Sequence, residues 1–339
     1  MKQPALVDVS VLILFFNRPA QLEAVFRQVK LARPARLYLY QDGPRGPHDM
    51  PGIEACRRVV DDVDWECDVH RNYQEKNYGC DPSEYMAQKW AFSLSDKCIV
   101  LEDDDVPAVS FFRFCKELLD RYEHDTRVSM IAGFNTEEVT PGVSADYFFA
   151  TTFSIWGWAS WKRVVDTWDE HYTFLDDPEA MCRLKELIAA RRYRKDFLYM
   201  CRRHRENKKA YYETIFQASV FLGSGLSIVP TRNMINNLGA VADSTHFAGS
   251  AQTMPRGYRR IFTMKRHEVD FPLKHPRYVV ENTAYKERVY RIMGWRHPWI
   301  KVARSFEELF LNLRYGNFKL ITQAVRRRVD KWLRRDRHW

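Results

Sequence analysis

The sequence predicts an α/β fold, a mostly parallel sheet flanked by helices, and three observations point there. Short apolar runs alternate with helix-spaced segments from Val9 to Phe112, which is the pattern of strands joined by crossover helices. Each of these runs ends in polar or charged residues: Asn17-Arg18, Asp42, and the cluster Glu102 to Asp105. A chain of 339 residues with 45% hydrophobic and 14% aromatic content can also bury the large core such a fold requires.

The elements follow in order. Val9–Phe16 reads as a buried strand stopped by Asn17-Arg18-Pro19. Ala20–Leu31 then has helical spacing, with Leu22, Val25, Phe26 and Val29 on one face. Arg36–Tyr40 is a second strand, ended by the turn Gln41-Asp42-Gly43-Pro44, and Ile53–Val63 is helical. Glu66–Arg71 reads as a third strand, Asn72–Pro82 as a loop, and Glu84–Leu94 as a helix. Cys98–Leu101 is a short, fully apolar strand. It runs into Glu102, Asp103, Asp104 and Asp105, and a helical segment follows over Phe111–Tyr122.

Adjacent carboxylates repel, so the acidic cluster reads either as a solvated turn or as a group compensated by donors or a cation. At the carboxyl end of a buried strand, where open α/β sheets place their ligands, a hard metal ion is the natural compensator. A hard metal beside such a crevice suits phosphate-bearing substrates. Asp42 at the second strand end is placed to accept from a base or ribose, and Arg18 to face a phosphate or a nucleobase edge.

In the second half, Val128–Phe134, Asp146–Phe153 and Leu226–Pro230 read as strands, and Thr214–Leu222 as a helix closed by Gly223 to Gly225. Trp156-Gly157-Trp158 and Trp161 read either as core or as flat faces for a pyranose ring. Residues 181–209 form a basic helical stretch with a solvated face, and Asn233–Phe247 is a polar loop. From residue 251 a basic, aromatic, proline-punctuated segment leads to an amphipathic helix with Ile321, Val325, Val329, Trp332 and Leu333 on one face. Domains are therefore expected over 1–250 and 251–339, the second a basic helical extension.

A net charge of +9 implies an anionic partner. Nucleic acid is disfavoured, because the acid-tipped strand end would repel a phosphodiester backbone. The seven cysteines are dispersed with no C-x-x-C pair, which excludes zinc-site spacing and fits reduced thiols in the cytoplasm. Val9–Phe16 lies behind Asp8 and does not read as a signal peptide, and no apolar run reaches the ~18 residues of a spanning helix. There is no G-x-G-x-x-G turn, phosphate loop or G-x-S-x-G elbow. A nucleoside diphosphate conjugate bound with metal fits the remaining pieces.

Five ordered segments carry a resemblance over residues 8 to 250. They are F-F-N-R-P at 15–19, Q-D-G-P at 41–44, L-E-D-D-D with F-F at 101–112, S-I-W-G-W-A-S-W at 154–161, and G-L-S-I-V-P with N-N-L-G and D-S-T-H between 225 and 246. The chain resembles GT-A-fold nucleotide-sugar glycosyltransferases, in the branch similar to animal N-acetylglucosaminyltransferase I and bacterial hemolytic-protein-like sugar transferases.

The resemblance implies a Rossmann-like sheet and a hexosyl- or N-acetylhexosaminyltransferase. It also implies a nucleoside-diphosphate sugar donor, with UDP as the nucleotide, and Mn2+ or Mg2+. By that alignment Asp104 touches the metal, with Glu102 and Asp103 supporting the ribose and the metal's waters. A plain D-x-D count instead pairs Asp103 with Asp105. Arg18 and Asp42 match positions that hold the uracil end, Gly157 and Trp158 match the loop beneath the transferred sugar, and His246 matches a loop histidine able to reach the diphosphate. Glu213, in Y-E-T-I where relatives carry W-D-x-x, matches the general base, and one base opposite one leaving group predicts inversion. A glycan or lipid-linked acceptor follows for surface-glycan synthesis, with the basic C-terminal helix on the anionic inner face of the cell membrane. The alternatives are a sugar-binding protein without turnover and a metal-dependent nucleotidyltransferase.

Overall fold

The first apolar run is strand β1 (Val7–Phe15), buried from Val9 onward. A strand covered on both faces belongs inside a helix-flanked sheet, and β1 pairs in parallel with β2 (Pro34–Gln41) on one side and β4 (Lys97–Glu102) on the other. The computed structural model describes residues 2–152, 154–239, 254–318, 320–323 and 326.

Helix α1 (Pro19–Ala32) starts on proline, whose missing N–H costs nothing in a first turn, and buries Leu22, Val25, Phe26 and Val29 as the spacing predicts. Next come α2 (Met50–Asp61), β3 (Asp68–Tyr73), α3 (Cys80–Leu94), the short β5 (Asp105–Pro107) after β4, and α4 (Ser110–Arg121). The chain continues through β6 (Val128–Ala132), β7 (Tyr147–Ala150), β8 (Trp158–Trp161), α5 (Lys162–Val165), α6 (Pro178–Leu187), α7 (Arg191–Asn207) and α8 (Tyr212–Leu222). It ends in β9 (Leu226–Pro230), β10 (Ile235–Asn237), α9 (Arg256–Phe262), α10 (Thr283–Met293) and α11 (Pro298–Arg314).

The main sheet has eight strands in the order β3-β2-β1-β4-β8-β6-β9-β7. Its first four strands are all parallel, β8 runs antiparallel to both β4 and β6, and β7 runs antiparallel to β9. The expected class, a mostly parallel α/β sheet flanked by helices, is what forms. In the order 3-2-1-4 the chain winds outward through β2 and β3, then crosses to the other side of β1. The carboxyl ends of β1 and β4 therefore flank the topological switch point, where such sheets open a crevice.

Three local readings differ from the expectation. Within the expected polar loop at Asn233–Phe247, Ile235–Asn237 is a strand that pairs antiparallel with β5. That partner lies far back in the chain, so no local pattern announces it. Helix α3 begins at Cys80, inside the expected loop Asn72–Pro82, because a first turn tolerates Pro82. The basic stretch at 181–209 is two helices, α6 and α7, divided at 188–190.

The chain forms two compact units, one of residues 1–238 with 264–289 and one of 239–263 with 290–339. The returning segment 264–289 thus packs with the first unit, beyond the boundary expected at 250. Glu268 shows how: its carboxylate accepts the backbone N–H groups of Val109 and Ser110 at 3.0 and 2.7 Å, capping the amino end of α4.

Candidate active-site crevice

Arg18 leaves the end of β1 and Asp103 the end of β4, and the two side chains meet across the switch point. Arg18 Nε donates to Asp103 Oδ2 at 3.2 Å, a second Arg18 N–H donates to Asp103 Oδ1, and Nη1 lies 3.0 Å from Asp104 Oδ2. Both acids are buried, while the Arg18 side chain keeps 24% of its exposure. Burial opposes the charge on Arg18, yet the two carboxylates outweigh it and hold the guanidinium pKa above its usual value. Burial likewise pushes Asp103 up to about 6, with Arg18 opposing the rise.

The other two acids are held differently. Asp105, with no exposure, accepts Gly157 N–H at 2.9 Å on Oδ2 and Asn237 Nδ2 at 3.1 Å on Oδ1. Asn237 also donates to Asp104 Oδ1 at 3.1 Å, and Leu238 N–H to the Asp104 carbonyl at 2.8 Å. The β5–β10 ribbon therefore clamps the cluster from one side. Glu102 accepts the Tyr212 hydroxyl at 3.0 Å. Burial, then repulsion from Glu84 and Asp105, raises its pKa well above the carboxylate range.

Asp42 is spent on its own loops. Its Oδ1 accepts Gly43 N–H at 2.9 Å and Tyr78 N–H at 3.0 Å; its Oδ2 accepts Asn77 Nδ2 at 2.9 Å and Gly79 N–H at 3.0 Å. These bonds shape the segment leading into α3. Gly157 adopts φ +58°, and a Cβ there would lie 2.5 Å from Ile235 Cδ1, so both conformation and space demand glycine. Trp158 has no exposure and packs between Phe92 and Phe216, with ring centroids 6.3 and 4.9 Å away. Of the two readings for this tryptophan, its ring takes the core one.

Glu213 lies in the first turn of α8 and Asp81 in the first turn of α3, and Glu84 follows one turn into α3. One carboxylate oxygen from each lies within 4.8 Å of the others. Two helix amino ends thus aim their positive dipole ends at one group of acids. The turn before α8 is fixed by His204, whose ring stacks on Tyr211 at 3.6 Å and whose Nδ1 lies 2.8 Å from Thr214 Oγ1.

The chain matches no family model and no curated protein. Solved structures show a distant likeness, among them the following two. Mouse xyloside xylosyltransferase 1 is 10% identical with a TM-score of 0.35, over 64% of this chain and 81% of that one. The 4-diphosphocytidyl-2C-methyl-D-erythritol synthase of Anaerococcus prevotii is 8% identical with a TM-score of 0.30, over 47% of this chain and 74% of that one. Likenesses at these scores decide nothing about function, so the site must speak through its own side chains.

Asp103 and Asp104 offer hard oxygen ligands of the kind a divalent cation takes, with Arg18 engaging both oxygens of Asp103 and Oδ2 of Asp104 in this structure. Asp105 is the least open of the three, with no exposure and N–H donors on both of its oxygens. His246 lies outside the described residues. Sequence reasoning missed Asn237, Tyr212, Asp81 and Glu84. The signal for Tyr212 was its place beside Glu213, and Asn237 stood in the N-N-L-G segment, but its bonds to Asp104 and Asp105 come from pairing with β5.

Proposed function

We propose that the chain transfers a glycosyl group from a nucleoside-diphosphate sugar, with UDP as the nucleotide, to an acceptor hydroxyl. The observation that carries this reading is the Arg18–Asp103–Asp104 group at the switch point, joined to the Glu213 turn through the Tyr212–Glu102 hydrogen bond. A diphosphate in the crevice needs cationic partners, and Arg18 is one. Asp103 and Asp104 would hold a divalent cation, which would supply positive charge against a departing diphosphate. We place that ion on Asp104 rather than Asp105.

Glu213, held beside the crevice by α8, takes the proton of the acceptor hydroxyl as it attacks the anomeric carbon. Asp42 and Asn237 act through geometry: Asp42 shapes the approach to α3, and Asn237 fixes the Asp104 carboxylate. Attack opposite the diphosphate inverts the anomeric carbon. The acceptor is a glycan or lipid-linked glycan, and the basic, aromatic second unit meets the anionic membrane that carries it. Among the described residues, no helix is long and apolar enough to cross a membrane.

The test is a product assay on the full chain with UDP-, GDP- and CDP-sugars, with and without Mn2+. Release of a nucleoside diphosphate and an inverted product by NMR support the reading. Pyrophosphate release would make the protein a nucleotidyltransferase, and donor binding without turnover would make it a sugar-nucleotide binding protein.

A further inference from the structure

We propose that Asp81, Glu84 and Glu213 form a second divalent-cation site, separate from the acids at the end of β4. Among the described residues these three are the acids whose ligand atoms converge, all within 4.8 Å of one another. Oxygen ligands of a hard cation sit about 2.0–2.6 Å from it, so two on opposite sides are about 4–5 Å apart. One ion can therefore reach all three carboxylates as they stand.

The second observation comes from Glu84. It is 8% exposed, and its Oε2 is buried with no hydrogen-bond partner among the described residues. Its Oε1 accepts only the weak Cys80 thiol, at 3.1 Å. A buried carboxylate oxygen without a donor is costly, and two further carboxylates beside it raise that cost. Arg18 neutralises Asp103 and Asp104, and amides serve Asp105, but among the described residues no Lys or Arg bonds to Glu84. Burial, then Glu213, moves the Glu84 pKa well above the carboxylate range, as expected for an acid whose counter-charge is missing. An all-oxygen set with one half-buried acid on each of two helix ends suits Mg2+, Ca2+ or Mn2+, with water completing the shell.

The site stands whether or not the chain is a glycosyltransferase, because its recognition is of the ion alone. If Glu213 also serves as base, ion and proton compete for its carboxylate, and free cation beyond that needed at Asp104 slows transfer.

The competing compensation is a proton on Glu84, and Mn2+ binding without nucleotide separates the two. The full chain is titrated with MnCl2, and free Mn2+ is followed by its EPR signal. Wild type is expected to take up Mn2+, and in an Asp104→Asn background, which removes the site at the end of β4, adding Asp81→Asn or Glu84→Gln weakens the remaining uptake at least tenfold. Thermal melting without metal checks folding; should Glu84→Gln not fold, Asp81→Asn alone carries the comparison. No uptake by wild type, no uptake left in Asp104→Asn alone, or uptake in that background unchanged by Asp81→Asn overturns the proposal. None of these readouts depends on donor or turnover, so failure of the transferase reading is seen separately.

Discussion

Arg18 and Asp103 clasp each other beyond the carboxyl ends of the paired strands β1 and β4, where the connections that leave the two strands diverge. Asp103 directly follows the last residue of β4, and Arg18 directly precedes the first residue of α1, so a strand end and a helix start place the pair. The pair supplies buried charge to a crevice and also closes the sheet at its switch point.

Removing one member leaves the other uncompensated. Arg18→Met is expected to cost about 3 kcal/mol in urea unfolding, the low end for breaking a buried pair because Arg18 is partly exposed. Adding Asp103→Asn should recover part of that loss. An unchanged denaturation midpoint in Arg18→Met would show the clasp contributes nothing.

Gly157 is required twice over, by φ +58° and by the approach of Ile235. Gly157→Ala should destabilise by about 2–3 kcal/mol, combining strain with overpacking. In an Ile235→Ala background the clash disappears and only the strain remains, so the same change should cost about 1 kcal/mol. Equal costs in the two backgrounds would place the whole effect on the backbone.

His204 gives a pH dependence with a definite sign. Burial lowers its pKa below the usual 6.5, with Asp81 opposing and Arg203 reinforcing the shift. On acidification the unfolded chain binds this proton before the folded chain does, so the contribution is whole above about pH 6.5 and is lost as pH falls further. Asp103 contributes the opposite slope, losing stability as pH rises through about 6, so the comparison must be between variants. His204→Gln is expected to show a smaller drop in Tm than wild type between about pH 7.5 and 5.5. Parallel curves would remove His204 as the cause.

For transfer itself, Glu213→Gln should lower kcat by about 10²–10⁴ with donor KM little changed, the pattern for losing a general base. A rise in donor KM at constant kcat would instead make Glu213 a donor-binding residue.

The second unit offers a separate prediction. Along α11, Val302, Phe306, Leu309, Phe310 and Leu313 share one face, and Phe306 and Phe310 are 67% and 61% exposed. With the positive charge of the chain this face suits an anionic lipid surface. Phe306→Glu with Phe310→Glu should reduce sedimentation with phosphatidylserine-containing liposomes and leave nucleotide binding intact. Equal sedimentation would leave the face without this role.

Much of the fold was legible because its signals are local. The β1 run, the one-sided spacing of Leu22, Val25, Phe26 and Val29, and the acids after Leu101 each report their own element. Strand-end polarity even located the crevice, since the ends of parallel strands share one edge. The start of α3 and the division of α6 from α7 were less legible, because first-turn proline and short breaks leave weak marks.

By itself, the sequence determined the parallel α/β class, the order of its first strands, and the acid cluster at one strand end, all consequences of hydrophobic periodicity within a few residues. Only tertiary structure decided what each acid does. Asp103 faces Arg18, Asp105 is consumed by Gly157 and Asn237, Asp42 serves its own loops, and Glu213 meets Asp81 and Glu84. These partners come from segments tens to more than a hundred residues away. The neighbours of a carboxylate are set by how strands and helices pack, and no periodicity along the chain encodes that distance.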